Sequence, residues 1–376
     1  MTTVLHLAPF DPSRYPPLIN TVHVSAAAGI ESVVVAGLPA SNAHVLGSAR
    51  LVAPGARPSG LGMMRWLVEQ GREVARRARP DLIIAHNTRG IVAALAAPLG
   101  ASVVYHCHDF DGVLALTPHQ AAFRVGELVG SQRAGETWVP ARERIDIARA
   151  RHLHGPTRLV RNCPRLLGDL PAKGRLRAWL AAQGARDADR ARIITRHGLI
   201  GHVHYIGETI EALALLPDDV IFVIIGDGDA AAIADYHARI ARLDLGRRVF
   251  FHPFVAHSDL MSLLADADVG MSVYVPSDLN AMTPAPNKVF ENLALGVPVV
   301  VAEGNSVAED VLGADAGLAV PVGPRAALAE ALGRLLDDSP FAVSARRAAR
   351  EAHLATFHYE KQLRGTRLGA LIERAR

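Results

Sequence analysis

Short apolar runs alternate with helix-like segments through the first part of the chain. The runs read TVLHLA, SVVVAG, DLIIAH, SVVYHC, ETWVP and RLVRN, and most of them are rich in Val, Ile and Leu. Strands without polar alternation are buried on both faces of a sheet, and the amphipathic segments between them supply the crossovers of parallel strands. The pattern therefore predicts an α/β fold with helices on both faces of a parallel sheet.

The clearest helical pattern covers residues 61–79. Its apolar residues recur every three or four positions, which places them on one side of an α-helix: Leu61, Met64, Leu67, Val68, Gly71 and Ala75. Charged residues occupy the other side: Arg72, Glu73, Arg76 and Arg77. We expect this helix to cover the first sheet with its apolar side.

A second series of apolar runs begins after residue 189. It reads RIITRHG, VIFVIIG, RVFFHPF, DVGMSVY, VPVVVAE and GLAVPV, again with helical segments between the runs. A chain of 376 residues is longer than one hydrophobic core usually supports. The repeated architecture therefore predicts a second domain rather than one large sheet.

Prolines and glycines cluster in residues 163–190, which is typical of a connection between domains. We expect an N-terminal domain over residues 1–165, a linker over 166–190 and a C-terminal domain over 191–355. The basic helical tail, residues 356–376, is expected to return to the N-terminal domain.

Both domains are expected to be Rossmann-like, doubly wound parallel sheets that face each other across a cleft. Open α/β sheets bind their ligands beyond the carboxyl ends of the strands, where the strand order reverses. The sequence therefore predicts an active site between the two domains, built from residues that follow the strands.

Composition excludes several classes of protein. Half of the residues are hydrophobic and a fifth are charged, a globular balance rather than that of a disordered chain. The cysteines Cys107 and Cys163 form no CxxC pair, so neither a disulfide framework nor a thiolate zinc site is expected. No run of eighteen apolar residues occurs. We expect a cytoplasmic protein, and a peripheral contact of its basic residues with the inner membrane face stays open.

The net charge is only +3, but basic residues are concentrated in the middle of the chain. Residues 133–196 contain 15 Lys and Arg against 6 Asp and Glu. This excess fits either an anionic partner or a solvated basic face. Aromatic side chains that would stack on bases are scarce there, so nucleic acid is not an expected partner.

The strongest local motif is PAPNKVFENLALGVPVVVAE, residues 284–303, in which a proline-bounded loop precedes a short helix and a buried strand. Backbone N–H groups at the start of a helix bind anions, and a diphosphate would lie at Asn287, Lys288 and Val289. Glu291, one turn further on, would accept hydrogen bonds from ribose hydroxyls. The alternative is that Asn287 only caps the helix and that Glu291 is a solvated carboxylate.

This motif resembles the PNKxFEYLAxGxPVV block of GT-B glycosyltransferases of family 4. The resemblance continues upstream through VIFVIIGDGD, RVFFHPF and DVGMSVY and downstream through GLAVPVGP, so that it covers residues 192–338. It implies transfer of a sugar from a nucleotide diphosphate donor to an acceptor hydroxyl, without a metal or other cofactor and with retention of configuration. The acceptor would be a glycan, a lipid-linked sugar or a small molecule.

One position departs from the family pattern. The family has a glutamate eight positions before its second one, and this chain has Thr283 there. The ribose contact implied for Glu291 carries over, whereas the donor-sugar contact of the first glutamate does not. Thr283 is kept as a donor-side residue, and the choice between retention and inversion stays open.

Other donor-binding residues are expected at strand ends of the second domain. Gly226 and Gly228 belong to a G-x-G-x-x-A loop, which would let phosphate or sugar approach. A nicotinamide site is disfavoured because the next strand ends in His252 rather than in an acidic residue. The resemblance places the nucleobase at His252 and Phe254. It also implies that Arg196 and Lys288 together stabilise the negative charge of the diphosphate.

In the first domain, His106 and His108 lie on one face of a predicted strand, and Asp109 and Asp111 follow it. His108 matches the strand-end histidine of the family, so His108 and Asp109 are the predicted catalytic residues. A metal site made of these two histidines and two aspartates is the less favoured alternative.

The neighbouring strand ends in His86, with Arg89 three residues later. Together with Asp111, these residues are expected on the acceptor side. Two other functions remain open: a nucleotide-sugar 2-epimerase of the same fold, and a non-catalytic nucleotide-sugar-binding partner subunit. Thr283 and the absence of an Arg-Lys pair after the strand RIITRHG motivate the second of these.

Overall fold

The computed structural model describes residues 2–110 and 118–376, so the predicted acceptor-side residue Asp111 lies outside the described residues. The chain forms two compact units. The first unit comprises Met1–Arg165 and Tyr359–Arg376, and the second unit comprises Leu166–His358.

A seven-stranded parallel sheet forms the centre of the first unit, in the order β3-β2-β1-β4-β5-β6-β7. Its strands are β1 (Thr3–Ala8), β2 (Glu31–Ala36), β3 (Arg50–Val52), β4 (Leu82–His86), β5 (Val103–His106), β6 (Glu136–Val139) and β7 (Thr157–Leu159). The predicted runs account for every strand except β3, a three-residue edge strand. The strand order reverses between β1 and β4, which is the point where such sheets bind ligands.

The sheet of the first unit is accompanied by helices α1 (Pro16–Ala27), α2 (Gly60–Ala78), α3 (Asn87–Ala94), α4 (Pro118–Ser131) and α5 (Glu143–Ala150), and by short 3-10 helices at Pro12–Arg14 and Ala43–Leu46. The helix predicted over residues 61–79 is α2, which begins after the cap Ser59. Leu61, expected on its apolar side, is 87% exposed, whereas Met63 and Val74 are buried instead. Leu67, Gly71 and Ala75 are buried as expected, so the prediction of the apolar side is confirmed for the middle of α2 and wrong at its first turn.

A six-stranded parallel sheet forms the centre of the second unit, in the order β10-β9-β8-β11-β12-β13. Its strands are β8 (Arg192–His197), β9 (Val220–Ile225), β10 (Val249–His252), β11 (Val269–Ser272), β12 (Val299–Ala302) and β13 (Gly317–Val320). All of them coincide with predicted apolar runs. The strand order reverses between β8 and β11, so that a second ligand crevice is expected at their carboxyl ends.

The helices of the second unit are α6 (Arg175–Ala182), α7 (Ile206–Leu213), α8 (Ala230–Arg242), α9 (His257–Leu264), α10 (Leu279–Met282), α11 (Asn287–Ala294), α12 (Ser306–Gly313), α13 (Arg325–Leu336) and α14 (Pro340–Ala355), with a 3-10 helix at His202–His204. The doubly wound α/β architecture predicted from the sequence is thus present in both units. No helix among residues 2–110 and 118–376 is both long and apolar enough to cross a membrane.

The segment expected to be a linker, residues 166–190, is part of the second unit. Leu176 and Leu180 of α6 are fully buried and pack against Ile193 and Val223 of the sheet. Asp266 accepts hydrogen bonds from the backbone N–H groups of Gly174 and Leu176 at 2.6 and 2.7 Å, which fixes the start of α6. Apolar burial therefore places this Pro- and Gly-rich stretch within the second core.

The end of the chain returns to the first unit through α15 (Tyr359–Gln362) and α16 (Arg367–Ala375), close to the boundary expected from the sequence. Tyr359, Leu363, Leu368 and Ile372 join a core cluster that contains Trp138 of β6. The buried Tyr359 hydroxyl lies 2.7 Å from Oγ1 of Thr21 in α1. The last residues of the chain thus complete the core of the first unit.

Leu368→Ala should therefore lower the free energy of unfolding of the first unit by about 2–5 kcal/mol, because it leaves a cavity in a fully buried cluster. Urea unfolding followed by tryptophan fluorescence measures this change. Leu354→Ala removes the same atoms from a side chain that is 45% exposed and should cost about 0.5 kcal/mol or less. Equal losses in the two variants would contradict the packing role of α16.

Candidate functional site

In the second unit, the crevice at the strand reversal is bordered by the end of β8 and by the start of α11. Pro286 precedes α11 and forms no side-chain cap hydrogen bond, so the N-cap side chain does not occupy the first N–H groups of this helix. Val289 is fully buried and anchors the helix start against the core. Oδ1 of Asn287 is buried without a hydrogen-bond partner among the described residues. This helix start offers donors to an anion.

Lys288 is the cation nearest to this helix start. Its Nζ donates a hydrogen bond to the hydroxyl of Tyr274, and its stem passes over Gly198 at the end of β8. Burial lowers the pKa of Lys288. Burial alone would raise the pKa of Tyr274, but the charges of Lys288 and Arg196 lower it. The two cations therefore create a positive field in which an anion is favoured.

Arg196 is only 2% exposed, so its side chain lies beneath the site rather than at its surface. Its guanidinium donates a hydrogen bond to the carbonyl oxygen of Leu199. Burial lowers the pKa of Arg196 to about 10, which still leaves the group charged at neutral pH. Arg196 thus contributes through its field, whereas Lys288 is the cation that lies closer to solvent.

Glu291 connects the first turns of α11 to two histidines. Its carboxylate lies 2.7 Å from Nε2 of His197 and 3.3 Å from Nδ1 of His257. Burial alone would raise the pKa of Glu291, but these histidines lower it, so the carboxylate stays ionised. Burial lowers the pKa of His197, which therefore donates as a neutral imidazole. A carboxylate has about four acceptor positions, and Glu291 retains capacity for further donors.

The glycines of the GDGD loop have a structural role within the second unit. A Cβ on Gly226 would collide with the carbonyl oxygen of Gly198, and one on Gly228 would collide with that of Ile200. Ile200 and Gly228 form a parallel bridge, and the N–H of Ile200 donates to the backbone carbonyl oxygen of Asp227 at 2.8 Å. Because Gly226 and Gly228 have no side chains, the backbone segment after β8 can pack directly against this loop.

The end of β10 carries the residues predicted to contact a nucleobase. Nδ1 of His252 donates to the carbonyl oxygen of Pro253 at 2.8 Å, and the imidazole lies 4.6 Å from the ring of Trp179 between centroids. Phe254 is 51% exposed. An exposed phenyl ring beside a strand end offers an apolar face for a flat ligand.

Thr283 is buried, and its hydroxyl donates to the carbonyl oxygen of Leu279 at 2.7 Å. This bond closes the short helix α10 onto the loop before α11. The residue at the position of the family glutamate thus holds the loop through its side-chain hydroxyl. It supplies no carboxylate to a sugar.

In the first unit, four histidines lie on one face of the sheet at the strand reversal. His86 pairs with His106 in the parallel register of β4 and β5. His108 follows His106 by two residues, and His6 lies on β1 opposite Ile84, two residues before His86. Side chains two residues apart share a face, which explains this grouping. All four are buried, with 2% of His108 and none of the other three exposed.

The predicted catalytic residue His108 is thus enclosed and not an open rim residue. Its Nε2 lies 2.9 Å from Nδ1 of His86, and the ring of Tyr15 lies 4.6 Å away between centroids. Burial, reinforced by the neighbouring histidines His106 and His86, lowers the pKa of His108 well below its usual value. The imidazole is therefore neutral at pH 7 and can donate or accept a single proton at Nδ1.

Asp109 is the exposed acidic residue at this strand end, with a side chain that is 55% exposed. Arg144, which is buried, lies 3.8 Å from the Asp109 carboxylate and donates to the carbonyl oxygen of His108. Oδ1 of Asn87 accepts from the N–H of His108 at 2.8 Å. Arg89 lies on α3 over the ring of Phe123, 4.9 Å from its centroid.

Sequence reasoning missed five residues of these sites: His6, Arg144, His197, His257 and Tyr274. His6 lies within an apolar strand and His197 ends one, which was a usable signal because imidazoles are costly to bury without a partner. Arg144 and His257 lie in ordinary polar segments, and Tyr274 ends the apolar run DVGMSVY. Their place in the sites follows only from the fold.

Residues 199–338 match the family model described as Glycosyl transferases group 1. A curated relative, 2-deoxystreptamine glucosyltransferase from Streptomyces kanamyceticus, is 27% identical over 328 residues, which cover 77% of this chain and 80% of the relative.

Solved structures of the same fold cover the entire chain. HepE from Anabaena in complex with UDP and glucose matches with a TM-score of 0.79 at 18% identity, over 100% of both chains. Sucrose-phosphate synthase from Thermosynechococcus elongatus matches with a TM-score of 0.74 at 19% identity, again over 100% of both chains. These matches define the fold as GT-B. The protein is a glycosyltransferase of this fold, and part of its second unit matches the model of group 1 glycosyltransferases.

Gly228→Ala should destabilise the second unit by about 2 kcal/mol or more, because the added methyl group meets the backbone of Ile200. Calorimetric melting of the variant measures this loss. Gly246→Ala is the matched control, since a Cβ there meets nothing within 4 Å and should change stability by about 0.5 kcal/mol or less. A Gly228→Ala variant as stable as this control would show that the loop tolerates side chains.

Proposed function

We propose that the protein transfers a glucosyl residue from UDP-glucose to a hydroxyl group of a small-molecule acceptor such as 2-deoxystreptamine. The observation that carries this proposal is the uncapped start of α11 beside Lys288 and Glu291, inside the matched group 1 domain. The curated relative is named as a glucosyltransferase of 2-deoxystreptamine, and the HepE structure is a complex with UDP and glucose. Both names support the choice of donor and acceptor.

The diphosphate of the donor would bind at Asn287, Lys288 and Val289. Transfer leaves a nucleoside diphosphate whose developing charge needs stabilisation, and preorganised N–H groups and cations supply it. Lys288 contacts the phosphates in this scheme, and the buried charge of Arg196 adds to the field. Because the protein supplies these positive groups, we propose a transfer that requires neither a metal ion nor another cofactor.

The nucleoside of the donor would lie between Glu291 and the end of β10. Ribose hydroxyls donate to the ionised Glu291 carboxylate, which His197 and His257 hold in place. The uracil ring stacks on the exposed face of Phe254 beside His252. The GDGD loop supports this site by fixing the segment after β8 through Gly226 and Gly228.

The transferred sugar and the acceptor would contact the first unit at His108 and Asp109. A neutral His108 donates or accepts one hydrogen bond at the reacting sugar, and the exposed Asp109 carboxylate takes the proton of the acceptor hydroxyl. We assign His86 and Arg89 to the acceptor side of the site as supporting residues. We also propose retention of the anomeric configuration, which the family resemblance suggests.

Incubation of the protein with UDP-glucose and a panel of glycan, lipid-linked and small-molecule acceptors tests this function. A glycosylated product in metal-free buffer with added EDTA is expected, and the proton coupling constants of the new linkage report its configuration. Epimerised UDP-sugar formed from the donor alone would indicate a 2-epimerase instead. UDP binding without turnover across the whole panel would indicate a non-catalytic partner subunit.

Glu291→Ala should weaken UDP binding by about 10- to 100-fold, since a hydrogen bond to a charged group is worth about 1.5–3 kcal/mol. Isothermal titration calorimetry measures the dissociation constant. Glu330→Ala removes an exposed carboxylate of the same unit and should leave the UDP affinity unchanged. Unchanged affinity in Glu291→Ala would exclude the ribose contact.

His108→Ala should lower kcat by about 100-fold or more, because general acid–base assistance by a positioned side chain contributes about 10²–10⁴. The UDP affinity, which is set in the second unit, should stay constant. His44→Ala, at an exposed histidine of the same unit, is the control and should retain wild-type kcat. A His108→Ala variant that loses only thermal stability would identify a packing residue and leave Asp109 as the candidate.

A further inference from the structure

A hydrogen-bonded row of imidazoles runs from the core of the first unit to His108. Nδ1 of His6 lies 3.2 Å from Nε2 of His86, and Nδ1 of His86 lies 2.9 Å from Nε2 of His108. We call His6, His86 and His108 the histidine chain. The chain crosses from β1 to β4 to the end of β5, at the reversal of the strand order. Its outer end is the residue assigned to the transferred sugar.

The histidine chain is electrically neutral. Burial lowers the pKa of His6 to about 3, and it lowers the pKa values of His86 and His108 well below the usual histidine value. Phe10 and Tyr15 pack edge-on against His108, which keeps this environment apolar. Each ring of the chain therefore carries one N–H and one lone pair at pH 7.

Proton counting leaves two arrangements for these contacts. His86 has one proton, so it donates to one neighbour and accepts from the other. In the first arrangement all three rings are protonated at Nε2, and Nδ1 of His108 presents a lone pair. In the second arrangement all three are protonated at Nδ1, and Nδ1 of His108 presents a proton. The two ends of the chain are therefore coupled through His86.

The two end nitrogens of the chain have no hydrogen-bond partner among residues 2–110 and 118–376. Nε2 of His6 and Nδ1 of His108 are buried without a hydrogen-bond partner among the described residues. Buried polar atoms of this kind are uncommon, because their desolvation is not compensated. An apolar residue in place of His6 or His86 would fill the sheet face without this cost. Packing alone thus gives no reason for the imidazoles.

We propose that His6 and His86 are positioning residues, which fix the ring orientation and the tautomer of His108 and so decide whether its Nδ1 donates or accepts a hydrogen bond. This inference rests on the proposed role of His108 in transfer. It adds His6 of β1 to the acceptor region and gives His86 a role that requires no contact with the substrate. The second ring nitrogen of a histidine is often fixed by such a partner in catalytic sites.

A metal ion is the other occupant that clustered histidines suggest, and His86, His106 and His108 each bring one nitrogen within 4.8 Å of the others. The ring geometry argues against it. The rings of His86 and His108 are parallel within 3° with their centroids 5.3 Å apart, and the facing nitrogens Nδ1 and Nε2 lie 2.9 Å apart. This is the edge-to-edge geometry of an N–H···N hydrogen bond, in which the two facing nitrogens share one proton and do not both direct a lone pair at a metal ion.

Long-range ¹H–¹⁵N correlation spectra of the histidine-labelled protein test the chain directly, because ¹⁵N shifts distinguish the two neutral tautomers. We expect His6, His86 and His108 to be neutral at pH 7 and to share one tautomer. Assignment uses His6→Phe, His86→Phe and His108→Ala. Different tautomers within the chain, or a charged ring, would overturn the inference. One equivalent of zinc in the purified protein, lost in His106→Phe, would also overturn it.

Kinetics then separate positioning from packing. His86→Phe should lower kcat by about tenfold or more and leave KM for the donor within about twofold, since general acid–base catalysis depends on protonation state and geometry. His6→Phe should lower kcat in the same direction. His86→Gln, which keeps one donor and one acceptor, should recover kcat to within about threefold of wild type.

The control is His106→Phe, which replaces an equally buried ring on the same sheet face that has no hydrogen bond to the chain. Its kcat should stay within about threefold of wild type, because the tautomer of His108 is untouched. Equal losses in His106→Phe and His86→Phe would show a packing effect and overturn the positioning role. An inactive His108→Ala with a fully active His86→Phe would overturn only this inference, whereas a fully active His108→Ala would overturn the proposed role of His108 as well.

Discussion

Parallel strand pairing is the constraint on which both sites of this glycosyltransferase depend. In each unit every strand points the same way, so the residues that follow the strands gather at one edge of the sheet. At the reversal of the strand order, the crossovers leave in opposite directions and open a crevice. The histidine chain occupies this place between β1 and β4, and Glu291 with Lys288 occupies it beside β8.

Burial determines the charge at each site. In the second unit, Glu291 stays ionised because two histidines stabilise it, and Arg196 remains cationic at neutral pH despite desolvation. Burial lowers the pKa of Lys288, and Tyr274 and Glu291 act in the opposite direction. The result is a helix start with positive groups around it, which suits a diphosphate leaving group. In the first unit, burial removes charge from His6 and His108, and the neighbouring His106, His86 and Arg144 lower the pKa of His108 further. One site therefore works with fixed charges, and the other with hydrogen bonds between neutral groups.

The strands were predictable because their signal is local. Continuous apolar runs identified every strand but β3, whose three residues are half exposed at the sheet edge and carry little pattern. The helix over residues 61–79 was also predictable, and Leu67, Gly71 and Ala75 are buried as expected. The exposure of Leu61 was not predictable, since the position of the sheet decides which residues the helix covers. Residues 166–190 have the composition of a linker, yet Leu176 and Leu180 bind them to the second core. A composition rich in proline and glycine is typical of flexible segments, whereas burial depends on neighbours that are distant in sequence.

The sequence by itself determined the two α/β units and the helix start at Asn287, because a repeating apolar period and a Pro-Asn-Lys segment act over a few residues. It also marked Glu291 and His108 as candidates. Only the tertiary structure decided what these residues touch. His197 meets Glu291 from 94 positions away, and His6 meets His86 from 80 positions away. The burial of Arg196 and the packing of Gly228 against Ile200 also arise only in the tertiary structure. Hydrogen-bond partners and desolvation depend on strand register and order, which no local pattern encodes.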